Sequence, residues 1–179
     1  GYAFRMSNMN DEAVVLYYAA DSLAQNRSVE FKQNLATVSM MTGNIQLSRK
    51  KFKEMTQFFP DNPEGFYGIA LTSLVVEDYE NGLENINLAE KKYINENEDC
   101  FALKAVLLTF NNHYEESIPY FEKVRNQASK NDVFIACYAL SLQQIGTNKS
   151  DEALLKKAKK YYKKVKNKQN LPEQLQLNI

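Results

Sequence analysis

"FNNHYEESIPYFEKV", residues 110–124, holds the chain's single histidine. His113 is followed by Tyr114, two carboxylates (Glu115 and Glu116) and the hydroxyl of Ser117. A base, two acids and a hydroxyl within five residues are ingredients of a catalytic site. They also suit a turn running into a helix, because acids are favoured where the first N–H groups of a helix are unpaired. Recurrence of the stretch elsewhere in the chain decides between the two.

The stretch recurs. Tyr79 lies 35 residues before Tyr114, in "VEDYENGLENINLAE" (76–90), and Ile45 lies 34 before that, in "MTGNIQLSRKKFKEM" (41–55). Ala36, Ala70, Ala105 and Ala139 follow one another at intervals of 34, 35 and 34. Phe52, Ile86 and Phe121 keep the same beat, with Tyr17 ahead of them. Ser48, Gly82 and Ser117 repeat it as small residues, preceded by Ala13. Each unit reads as two helices. In "DCFALKAVLLTF" apolar residues stand at 101, 103, 105–108 and 110, a helix buried on most sides. After "NNHY", Ile118, Phe121 and Val124 form one stripe of a second helix. One helix pair cannot bury its apolar face alone, so pairs stack.

The pattern resembles the tetratricopeptide repeat family. The matching residues are a large apolar one early in the first helix (Phe66, Phe101), a small one four later (Ala70, Ala105) and an aromatic at the turn (Tyr79, Tyr114). The second helix continues the match with Gly82, Ile86 and Ala89, and with Ser117, Phe121 and Val124, while Pro60 closes a repeat. The resemblance implies an all-α, right-handed α-solenoid of stacked antiparallel helix pairs. The expected division of this single domain is a partial repeat at 1–27, repeats at 28–61, 62–96, 97–130 and 131–168, and a capping tail at 169–179. In the tail, Leu171, Leu175 and Ile179 make one stripe after Pro172. The last repeat departs from the pattern: after Gly146, "TNKSDEALL" delays the second helix.

On this register His113 is a polar turn residue and Glu115 and Glu116 begin a helix, so no catalytic residue is assigned. Motifs such as GxGxxG, GxxxxGK[ST] and GxSxG are absent from the sequence. With one His and two widely spaced cysteines, Cys100 and Cys137, a transition-metal site has too few ligands, and neither metal nor cofactor is expected. Both cysteines lie in apolar runs and read as buried thiols.

The resemblance implies a concave face, lined by first helices, that takes a protein or peptide partner. The groove candidates are Met40 and Met41, then Tyr67, Leu71, Leu74 and Val75, then Ala102, Val106 and Phe110. Their middle is apolar, suited to an amphipathic helix or an apolar extended segment. The basic clamp by which some members grip a chaperone's terminal carboxylate is missing: Gln33, Thr37, Tyr67, Gly68, Ala102 and Leu103 stand there instead.

The chain is neutral overall, yet residues 149–179 carry nine Lys against three acids. In "LLKKAKKYYKKVKNK", Leu154, Ala158, Tyr161, Tyr162 and Val165 form an apolar stripe with lysines opposite. A solvated outer face is the preferred reading. The alternative is a surface on 149–168 for nucleic acid or anionic membrane, and the use of Lys rather than Arg argues against nucleic acid. Attraction between this run and the acidic earlier repeats of another copy would give self-association. No run of about 18 apolar residues is present to span a membrane. No secretory leader is legible and Gly1 falls inside a helical pattern, as in a truncated chain, which favours the cytoplasm over export.

Overall fold

In the computed structural model, the described residues are 10–124, 126 and 131–176. All regular structure among them is helical. They divide between two units, Gly1–Ile94 and Asn95–Ile179. The first holds α1 (Asn10–Ala24), α2 (Val29–Met41), α3 (Ile45–Phe58), α4 (Pro63–Val75) and α5 (Tyr79–Lys92). The second holds α6 (Glu98–Phe110), α7 (Tyr114–Val124), α8 (Asp132–Lys149), α9 (Glu152–Tyr162), a 3₁₀ turn (Lys168–Asn170) and α10 (Glu173–Gln176). No described helix is long and apolar enough to cross a membrane.

Helix starts follow from local chemistry. Side-chain oxygens of Ser28, Asn44, Asn62, Asn97, Asn131 and Asp151 each accept from an otherwise unpaired N–H in the first turn of α2, α3, α4, α6, α8 and α9. Pro63 opens α4, where its missing N–H costs nothing.

Each first helix ends in the same hydrogen-bonded reversal. The N–H of Asn44 donates to the Ser39 carbonyl at 2.8 Å, and that of Gly43 to Met40 at 3.0 Å. The same six-to-one bond runs from Asp78 to Ser73 (2.9 Å), from His113 to Leu108 (2.8 Å) and from Asp151 to Gly146 (2.8 Å). This reversal, the Schellman motif, needs one left-handed residue per turn. Those residues are Gly43, Glu77, Asn112 and Ser150, with φ of +79°, +60°, +62° and +53°. Only one of them is glycine, the residue that adopts this conformation at no steric cost.

The first three of these turns keep the 34- and 35-residue spacing, and the fourth comes late. The sequence reading has the insert after Gly146 delay the second helix, and α9 indeed begins only at Glu152. The structure adds how: α8 runs on to Lys149, so the insertion is absorbed as a further turn of the first helix. Gly146 is buried, and a Cβ there would lie 3.1 Å from Leu154 and Leu155.

The helix pairs bury the residues that keep the repeat beat. Ala36, Ala70, Ala105, Ala139, Ile86 and Phe121 are all fully buried. In the first unit, Ala36, Phe52, Met55 and Ile69 form one core cluster, and Ala13, Tyr17, Leu35 and Val38 another. In the second, the Phe121 ring lies 4.8 Å from that of Phe134, edge-on, and 5.1 Å from that of Tyr138. Each such side chain removed from water contributes about 1.5–3 kcal/mol. Leu171 and Leu175 are buried, and α10 packs against α8. Ile179, the remaining member of that stripe, lies outside the described residues.

The first unit also contains a closed ring of four charges. Lys32 is 1% exposed and Asp21 4%. The Lys32 ammonium lies 3.0 Å from Asp21 and 2.7 Å from Glu54, and that of Lys51 lies 2.7 Å from Asp21 and 2.9 Å from Glu54. Cations and anions therefore alternate, joining α1, α2 and α3. Burying an ion costs several kcal/mol, and the mutual attraction offsets that only while every partner stays in place. Burial disfavours the Glu54 carboxylate, but hydrogen bonds from Lys32 and Lys51 outweigh it and hold its pKa below the ordinary value. Burial likewise opposes the Lys51 charge, and bonds to Asp21 and Glu54 reverse the effect and raise its pKa.

Two outcomes are expected in urea unfolding followed by circular dichroism. Glu77→Gly and Ser150→Gly should each stabilise the chain by about 0.5–1 kcal/mol, because left-handed backbone costs an L-residue roughly 1–2 kcal/mol and the glycine's extra unfolded-state entropy returns part of that. Asp21→Asn should destabilise by about 3–5 kcal/mol, since it leaves a buried ammonium short of a counter-charge. The pH dependence follows in sign. A carboxyl whose native pKa is depressed binds fewer protons folded than unfolded, so its contribution is complete above its unfolded pKa and lost as pH falls through the native one. The urea midpoint should therefore drop below about pH 4.5, less steeply in Glu54→Gln. The Lys51 contribution is lost only at the alkaline end, as pH rises through its raised pKa.

Candidate partner-binding surface

In the first unit, Tyr67, Leu71 and Leu74 of α4 are half-buried and Val75 is 53% exposed. Their spacing puts them on one side of the helix. On α2, Met40 is half-buried and Met41 is 55% exposed. The two helices pack together and are linked by the Gln33 amide, 3.5 Å from a Glu64 carboxylate oxygen. The other oxygen of Glu64 accepts from the Tyr93 hydroxyl at 2.8 Å. Glu64 is thereby held in place at one end of the apolar stripe.

In the second unit the equivalent residues of α6 offer less surface. Ala102 is half-buried, whereas Val106 is 6% exposed and Phe110 8%. Thr109, between them in sequence, is 2% exposed and bonded at 3.0 Å to Ser141, which also accepts from Ser117 at 2.9 Å. The Ser117 hydroxyl singled out in the sequence is thus a link between α7 and α8 inside the core.

His113 lies at the surface of the second unit. Its Nδ1 is 3.0 Å from Glu116 Oε1, and the two side chains are 47% and 70% exposed. Glu115 pairs with Lys149 at 2.7 Å. With Asn112, Tyr114, Ile145 and Asn148 these residues border an open hollow of about 390 Å³. The histidine's buried contribution is its backbone: its N–H closes the α6 reversal, and its carbonyl accepts the N–H of Ser117 in α7. No group of His, Cys, Asp and Glu capable of holding a metal ion occurs among the described residues. Both cysteines are buried, and burial pushes the Cys137 thiol far above its ordinary pKa.

Of the lysine-rich segment, α9 turns Ala158 and Tyr162 inward, and Val165 just beyond it is also buried. Lys156 is 81% exposed, and Lys159, Lys160 and Lys163 are exposed with no ion pair among the described residues. Lys157 differs: it pairs with Glu122 at 2.7 Å, and Glu122 in turn accepts from the Tyr138 hydroxyl. Burial and then the bond to Glu122 push the Tyr138 hydroxyl up to about 12, so it stays a proton donor at neutral pH. The basic face is therefore a row of solvated ammonium groups, with Ala158, Tyr162 and Val165 of its apolar stripe already committed to the core and Leu154 and Tyr161 half-buried.

The ring of charges around Lys32 was not anticipated from the sequence. A signal for it existed: Lys32 occupies the position that Phe66 and Phe101 hold one and two repeats later. A lysine where the pattern requires a large buried side chain needs carboxylates around it.

No family model matches the chain, and no curated protein sequence does. Solved structures match its fold. Two structures of MamA each give a TM-score of 0.70, at 15% and 16% identity, covering 91% and 92% of this chain and 90% and 85% of theirs. A tetratricopeptide repeat protein from Parabacteroides merdae ATCC 43184 gives 0.63 at 16% identity, covering 88% of this chain and 61% of its own. The chain has an all-α fold of the tetratricopeptide type.

Proposed function

We propose that the chain is a non-catalytic scaffold that binds a protein or peptide through its first helices, with the main contact in the first unit. The observation that carries this reading is the apolar stripe of α4, Tyr67, Leu71, Leu74 and Val75, half-exposed beside Met40 and Met41 of α2. A surface of aromatic, aliphatic and thioether groups bordered by the fixed carboxylate of Glu64 suits an amphipathic helix or an apolar extended segment carrying one basic or hydrogen-bonding group. Methionines adapt their shape to the occupant. Ala102, Val106 and Phe110 are the corresponding part of the second unit, where Ala102 has the accessible area.

The absence of a catalytic role rests on the chemistry of the candidate cluster. His113, Glu115 and Glu116 are solvated, and each carboxylate is engaged by a neighbouring cation or imidazole. Among the described residues, nothing around them excludes water, which a positioned acid–base pair requires to gain in strength.

Peptide display on the purified chain, followed by fluorescence polarisation of the selected peptides, tests the proposal. Leu71→Glu and Val75→Glu are expected to weaken the selected peptides at least tenfold, about 1.4 kcal/mol, with circular dichroism unchanged. Peptides that bind both folded variants as tightly as the parent chain would overturn the assignment. Phe110→Glu is the wrong probe, because a charge at a side chain only 8% exposed unfolds the core before it reports on binding.

A further inference from the structure

From residue 153 to residue 172 the chain carries eight lysines and no acid. The two acids just before this segment are engaged locally. Asp151 accepts the N–H groups of Ala153 and Leu154, and Glu152 stands 3.9 Å from Lys156. Lys156, Lys159, Lys160 and Lys163 follow at i, i+3, i+4 and i+7, one face of α9, opposite the buried Ala158 and Tyr162. Lys166 and Lys168, just past the helix, are exposed as well. Of these six lysines only Lys156 has an ion pair among the described residues.

An ordinary solvated surface intersperses both signs of charge. Here like charges stand one turn apart: Lys156 and Lys160, and Lys159 and Lys163, are i,i+4 pairs that repel each other. The helix is held in place regardless, by the burial of Ala158 and Tyr162 and by the edge-on contact of Tyr161 with Tyr138 at 4.6 Å. Packing on one side thus concentrates positive charge on the other, and anions brought from outside relieve the repulsion.

We propose that this face docks reversibly on the anionic surface of a lipid bilayer. Negative headgroups attract a cluster of lysines on one helix face, and each lysine near the surface strengthens binding about fivefold. Three features favour headgroups over other polyanions. Every cation of the face is a lysine, a point charge that suits mobile headgroups, whereas the arginine fork is the usual grip on nucleic-acid phosphates. The two aromatics of the helix are not free for a base to stack on: Tyr162 is buried, and Tyr161 lies against Tyr138 with the Lys164 ammonium 4.5 Å from its ring. A protein interface has an apolar centre in which lysine is depleted, and none of the large apolar side chains exposed among the described residues belongs to the second unit. A fluid bilayer requires neither such a centre nor a matching shape. Ala158 and Tyr162, which an inserting helix would offer to the acyl chains, face the core, so binding is electrostatic and stays at the level of the headgroups.

Co-sedimentation of the full chain with lipid vesicles tests this. At about 50 mM salt the chain should pellet with phosphatidylcholine vesicles containing about 30% phosphatidylserine and stay in solution with phosphatidylcholine alone. At about 500 mM salt, where charges are screened within a few ångströms, it should be released. Lys159→Glu, Lys160→Glu and Lys163→Glu combined should weaken binding about tenfold or more, with circular dichroism unchanged because all three side chains are exposed. Lys50→Glu, Lys53→Glu and Lys91→Glu combined alter exposed lysines of the first unit, shift the net charge equally and should weaken binding far less. No binding to the anionic vesicles, equal binding to the neutral ones, binding that persists at high salt, or equal loss in the two triple variants would each overturn the proposal. So would tighter binding, at the same salt, to a labelled single-stranded oligonucleotide than to the anionic vesicles, which would assign the face to nucleic acid instead.

Discussion

A Cβ placed on Gly68 would lie 2.2 Å from the ring of Phe52. Helices α3 and α4 pack so closely there that only a hydrogen fits, and the aromatic ring takes the space that a side chain would have used. The same need for close approach explains why small residues carry the repeat beat. Ala36, Ala70, Ala105 and Ala139 have no exposed surface, and neither do Ser48 and Ser117. A larger side chain at such a crossing forces neighbours off their rotamers. The reversals at Gly43, Glu77 and Asn112 are the counterpart of this constraint. They turn the chain within a few residues, so two helices emerge close enough for the small residues to meet.

The two units fill their interiors by different means. In the second, Phe121, Phe134, Tyr138 and Tyr161 form a chain of aromatic contacts, and Tyr138 reaches outward only through its hydroxyl. In the first, the place of an aromatic is taken by Lys32, and two carboxylates and a second lysine are drawn in with it. Dispersion and apolar burial are tolerant of exchange, whereas a charge ring requires all its members. The first unit therefore owes part of its helix register to directional contacts, and the second to packing shape.

The helix pairs were legible because their determinants are local and periodic. Ala70 and Ala105, Tyr79 and Tyr114, Ile86 and Phe121 repeat in step, and buried residues at a fixed beat leave few other folds open. What escaped reading was non-periodic or long-range. Nothing within a few residues of Asp21 says that Lys51 will sit beside it, since charges on an amphipathic helix usually read as solvated. The delay after Gly146 was legible, but not its form as an extension of α8, because a glycine can be a helix stop or a small residue beneath a crossing helix. Leu154 and Leu155 decide for the second, and their position is known only once α9 is placed. For the candidate surface, the sequence ranked Phe110 with Leu71, and burial separates them. A residue's place in a repeat fixes its direction, but not how much of it the neighbours cover.

The charge ring also constrains how this sequence can drift. Four positions spread over 34 residues, Asp21, Lys32, Lys51 and Glu54, are coupled energetically into one unit. An apolar side chain at position 32 alone leaves two acids to share Lys51, and an uncharged one at position 21 leaves two lysines to share Glu54. Each single step passes through a poorly folded intermediate, although an all-apolar version of the four lies at no worse a stability on the far side. Any single replacement in the ring is thus expected to lose stability before a second can recover it.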